Sequence, residues 1–86
     1  MTKTWHVDLF IGERDGRTHV EARLEQAGRD NARTLSGHGV ARLNPSDRDV
    51  PEIGDELASA RALSDLAHQL LDATAGDIES VTHKPA

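Results

Sequence analysis

An Asp-Gly dipeptide at positions 15 and 16, set between two stretches of alternating apolar and polar residues, constrains this chain more than any other feature. Asp-Gly supplies the positive backbone φ angles of a two-residue type I′ turn, and that turn sets the register of its flanking strands. Residues 4–12 and 17–26 are therefore expected to pair as an antiparallel hairpin whose opposed positions sum to 31. On one surface Val7 then faces Leu24, Leu9 faces Ala22 and Ile11 faces Val20, and on the other Asp8 faces Arg23 and His6 faces Glu25. A slip of one residue would turn one strand's apolar set outward.

Residues 27–33 are polar and rich in turn formers, and read as a loop. A third strand is expected over 34–43, with Leu35, Gly37, Gly39, Ala41 and Leu43 on one side and Ser36, His38, Val40 and Arg42 on the other. Two glycines weaken a strand, but on its inner face they let a helix approach the backbone closely. Pairing of this strand with the second at a sum of 61 would set Glu21 opposite Val40. After the turn signal Asn44-Pro45-Ser46-Asp47 the period changes. Over 55–74, Leu57, Ala60, Leu63, Leu66, Ala67, Leu70 and Leu71 recur at helical spacing, with Asp55 placed to cap the start and Gly76 just past the end. Asp49 and Glu52, at capping-box spacing around Pro51, define an alternative start that puts Gly54 inside the helix. Residues 77–86 form a tail in which Ile78 and Val81 share one side of a further short turn. The expected fold is a single α+β domain over residues 1–86, a three-stranded antiparallel sheet (β-β-β-α) with one long helix on one face.

Coverage is the difficulty for such a fold. A helix about 10 Å wide cannot keep water off a three-stranded sheet about 14 Å across. Only 36% of the residues are hydrophobic, with one Trp, one Phe and no Tyr, so the core must come from small aliphatic side chains. The first strand is a long free edge whose inner row, Trp5, Val7, Leu9 and Ile11, is apolar. A second copy, adding its edge strand or docking its helix there, is the expected cover, which makes these four residues the candidate dimer interface. Without cysteine there is no disulfide or thiolate site, consistent with a reducing cytoplasm. No apolar run has the roughly 18 residues of a membrane span.

Charge is unevenly distributed. Residues 1–33 carry six basic and six acidic groups, whereas residues 50–86 carry two basic and seven acidic, which accounts for the net −5. An acidic carboxyl-terminal half repels a phosphate backbone. The basic candidates for an RNA contact are Arg14, Arg17, Arg29 and Arg33, in turns interleaved with Glu13, Asp15 and Asp30. His6, His19 and His38 share the outer sheet face without converging, so no metal site is expected. Ser36-Gly37-His38-Gly39 lies within a strand, whereas a phosphate-binding loop leads directly into a helix. No acid, base or nucleophile constellation is apparent, and neither enzymatic activity nor a cofactor is expected.

The segments Lys3 to Ile11, Val50 to Ala58 and Arg61 to Leu71 resemble a family of small actinobacterial proteins of unknown function with a double-stranded-RNA-binding-domain-like fold. The resemblance covers nearly the whole chain. It implies a β3α protomer, frequently dimeric, similar in shape to ribosome hibernation factors and linked in some members to dormancy or hypoxic stress. It supplies no catalytic residues. Duplex-RNA-binding domains use basic residues at the start of the helix after the third strand, and here that stretch is the acidic Pro51-Glu52-Ile53-Gly54-Asp55-Glu56. The expected function is that of a cytoplasmic, non-enzymatic interaction protein, dimeric and stress-associated, with a ribosomal protein the easier ribosomal partner. Direct RNA binding through the basic turns is the alternative.

Overall fold

The computed structural model describes residues 1–26, 33–42 and 51–82. Strands β1 (Val7–Arg14), β2 (Arg17–Glu25) and β3 (Thr34–Arg42) form an antiparallel sheet in that order, followed by one helix, α1 (Pro51–Thr82). Asp15 (φ 54°) and Gly16 (φ 70°) make the expected turn, and β1 meets β2 in the expected register, from Val7 opposite Leu24 to Arg14 opposite Arg17.

The second pairing differs from expectation. Glu21 lies opposite His38, and Val40 opposite His19, two residues away from the anticipated alignment. A shift of two keeps every side chain on its face, so the inner rows still form: Leu24 beside Leu35, Ala22 beside Gly37, Val20 beside Gly39 and Thr18 beside Ala41.

The helix begins at Pro51, the alternative start, and runs to Thr82. Proline suits the first helical position because its missing N–H would have had no intrahelical partner. Asp55 is therefore no cap; it sits in the second turn with one carboxylate oxygen buried. Gly54 and Gly76 are both interior, and Gly76 does not stop the helix. Just beyond it, Asp77 accepts a hydrogen bond from Arg33 Nη2 at 2.6 Å, tying the carboxyl-terminal turns to the residue that leads into β3. Arg29, Leu43, Asp49 and the last four residues lie outside the described residues.

The helix packs on the sheet through its smallest side chains. Ala58, Ala62 and Leu66, at i, i+4 and i+8, are buried against Val20, Ala22, Leu24 and Ala41, with Leu35 and Leu70 at the margin. This corrects the expected stripe, since Leu57 and Leu71 face away from the sheet, Leu63 lies on the flank of the helix, and all three are exposed. The reason lies in β3. A Cβ on Gly37 would collide with the backbone of Ala62 and Leu66, and one on Gly39 with that of Ala58 and Ala62. The helix thus rests on bare backbone directly above β3, which only a small-residue face allows. Gly54 makes a similar approach near the start of β2, where an added Cβ would lie 2.8 Å from the Thr18 hydroxyl.

Candidate association surface

With α1 seated over β3, β1 has no cover. Each of its eight residues is exposed, and the inner row ahead of and along it, Trp5, Val7, Leu9 and Ile11, is 40–48% exposed although their opposite numbers Val20, Ala22 and Leu24 are buried. The structure therefore sets Val7, Leu9 and Ile11 as one exposed apolar strip beside the core, and Trp5, also exposed, precedes the strand.

The two free edges of the sheet are treated differently. On β3, the Asp65 carboxylate accepts a hydrogen bond from the His38 backbone N–H at 2.8 Å, and the Arg61 guanidinium donates to the Val40 carbonyl at 2.7 Å. Two helix side chains one turn apart thus occupy the outward backbone groups of that edge, a common protection against unwanted strand pairing. Among the described residues nothing comparable lies on β1. The contacts also orient the helix. Arg61 and Asp65 mark its flank toward the β3 edge, and at about 100° per residue Leu63 and Leu70 fall on the opposite flank, toward β1.

Polar groups cluster on the other face of the sheet. Arg23 binds the Glu21 carboxylate at 3.1 Å, its guanidinium carbon lies 4.7 Å from the centre of the Phe10 ring, and Ser36 donates to Glu21 at 3.0 Å. The Arg23 and Ser36 hydrogen bonds hold the Glu21 carboxyl below the usual range. Phe10 is thereby stacked under a cation that is itself ion-paired. His38 is opposite Glu21 and, in the observed register, diagonal to His19 on the same face, while His6 precedes β1; among the described residues no group of three metal-ligating side chains forms.

The basic candidates separate into two groups. Arg33 is engaged with Asp77 and with the Gln26 side chain at 3.0 Å, and it closes the end of the β2–β3 connection. Arg14 and Arg17 face each other across the turn, and the observed register sets Arg42 opposite Arg17 on the same outer face. The result is a row of three arginines across three adjacent strands, with no ion pair among the described residues. Sequence reasoning missed Arg42 because a sum of 61 places a different residue opposite Arg17; the alternating outer pattern of β3 was the only available signal, and it is unchanged by a two-residue shift. No described helix is long and apolar enough to cross a membrane.

A three-stranded antiparallel sheet carrying one long helix defines the class, a small α+β protein of β-β-β-α order. The chain belongs to the Rv2632c-like family, whose model matches residues 3–86. Uncharacterised protein Mb1767 of Mycobacterium bovis is 55% identical over 82 residues, covering 95% of this chain and 83% of that protein. Uncharacterised protein Rv2632c of Mycobacterium tuberculosis is 54% identical, covering 96% of this chain and 85% of its own length. The crystal structure of Rv2632c superposes with a TM-score of 0.85 at 53% identity, over 99% of this chain and 96% of that one.

Proposed function

We propose that this protein acts by association, without chemistry of its own, and that its first partner is a second copy bound over β1. The observation that carries this reading is the contrast within one sheet face: Val20, Ala22 and Leu24 are buried while Ile11, Leu9 and Val7 directly beside them are exposed. Apolar surface of this kind, next to a core and bounded by polar residues, marks an interaction site. Sedimentation velocity at micromolar concentration tests it. A dimer is expected, with Leu9→Asp reverting to monomer; a wild-type monomer overturns the proposal. A cytoplasmic, stress-linked role at the ribosome rests on the family resemblance, and salt-insensitive co-sedimentation with ribosomes supports a protein contact there.

A second reading has its own observation, the row Arg14, Arg17 and Arg42. Three guanidinium groups on one flat face can engage a phosphate backbone without involving the acidic helix. In that case RNA affinity falls with salt at a log–log slope of roughly −2 to −3, the value for about three phosphate contacts. Arg42→Ala and Arg17→Ala each lower the slope; binding unaffected by either removes this reading.

A further inference from the structure

The helix has a second apolar face, and the exposed strand has a gap above it one helix wide. Counted at about 100° per residue, a 120° sector of α1 running from its β1 flank at Leu63 over the outer side to Leu57 holds Ile53, Leu57, Leu63, Leu71, Ile78 and Val81, all exposed. Of the eight charged residues in α1, only Glu56 falls within that sector. Helices apolar on both faces are buried on both. The opposite sector, Ala58, Ala62 and Leu66, already lies on the protomer's own sheet.

The spacing of the sheet shows where the second partner fits. Gly37 and Gly39 place α1 above β3, and β1 lies two strand spacings away, about 9.5 Å. Packed helices lie about 8–10 Å apart. A helix laid alongside α1, against its Leu63 and Leu70 flank, therefore comes to rest directly above Val7, Leu9 and Ile11. Pairing of two β1 edges in one continuous sheet does not achieve this, because each helix stays above its own β3 and the apolar rows remain open between them.

We infer that two copies associate face to face, each inserting the outer stripe of its α1 against the β1 row of the other. The two helices then form the middle layer between two sheets. This rests on the self-association proposed above and specifies its mode. The area is adequate: Trp5, Val7, Leu9 and Ile11 with Ile53, Leu57, Leu63 and Leu71 are each 40–66% exposed. At roughly 150–200 Å² per large side chain they offer roughly 700 Å² per protomer, close to one partner's share of a standard interface, about 800 Å². The arrangement also leaves the ion-paired outer faces of both sheets in water.

The test is sedimentation of the wild type beside the double variant Leu57→Lys/Leu71→Lys, which changes only residues exposed in the protomer. The expected result is a wild-type dimer and a variant dissociated by roughly a hundredfold or more, as for loss of central apolar anchors, with an unchanged circular dichroism spectrum and melting profile at monomeric concentration. A wild-type dimer with an equally dimeric variant overturns the face-to-face mode and leaves self-association standing. A wild-type monomer removes both. Because the chain lacks cysteine, single-cysteine chains add an independent readout. Cross-linking of Leu57→Cys or Leu71→Cys to Leu9→Cys in mixed dimers supports the helix-on-strand contact. Cross-linking confined to Leu9→Cys with itself contradicts it.

Discussion

Gly39 lies directly beneath Ala58: a Cβ added to the glycine would fall on the alanine's carbonyl oxygen and on the backbone N of Ala62. Backbone cannot rotate aside as a side chain does. Gly39→Ala is therefore expected to destabilise the fold by about 2–3 kcal/mol, at the upper end for overpacking. Gly12→Ala, with nothing within 4 Å of the added carbon, is the control and is expected to be neutral or stabilising by up to about 1 kcal/mol. Urea unfolding of both variants measures the difference.

Leu66 is the largest side chain on the buried face of α1, and Leu71 one of the largest on the exposed face. Leu66→Ala is expected to cost about 2–4 kcal/mol through lost burial and a residual cavity, a large share of the stability of so small a core. Leu71→Ala is expected to leave monomer unfolding within about 0.5 kcal/mol of wild type. Denaturant midpoints at concentrations below dimerisation separate the two.

Asp65 and Arg61 cover backbone groups of β3 that would otherwise be available for pairing. The variant Arg61→Ala/Asp65→Ala is expected to lose about 1–2 kcal/mol and to aggregate on storage, because a second sheet edge becomes free. Light scattering over time checks this; a double variant as soluble as wild type contradicts a protective role.

The Glu21 carboxyl is held below its usual range by Arg23 and Ser36. A carboxyl with a depressed folded-state pKa contributes stability above its unfolded value and loses it as pH falls through the folded value. Stability is thus expected to decline on acidification, and Arg23→Gln to raise the Glu21 pKa and flatten that part of the profile. Carbon-detected NMR titration of the carboxyl reads the shift directly.

How far the sequence revealed this arrangement depended on whether a local rule set each feature. The hairpin register was legible because Asp15 and Gly16 specify both turn type and register, although β1 begins at Val7 instead of residue 4 and runs on to Arg14. The β2–β3 register was not, since the long connection carries no fixed turn and a shift of two preserves every apolar pairing. That error hid Arg42 beside Arg17. The helix was recognised by period, but its face was misassigned, because leucine content pointed one way and the close seat above Gly37 and Gly39 required the other. Its length was underestimated because Gly76 resembles a stop, while the Arg33–Asp77 pair that holds the next turns joins positions 44 residues apart. The β1 row was legible, since an apolar strip at an uncovered edge follows from the width of a helix.

Trp5, the sole tryptophan, precedes that row by two residues and is 48% exposed in the protomer, so it reports on whether the strip is covered. Its emission and acrylamide quenching across a dilution series from well above to well below micromolar concentration test the central claim. The expected result is a blue-shifted, quencher-shielded Trp5 at high concentration that becomes red-shifted and accessible on dilution, at constant helical circular dichroism. Emission and quenching of an exposed Trp5 unchanged over the whole series would contradict the account.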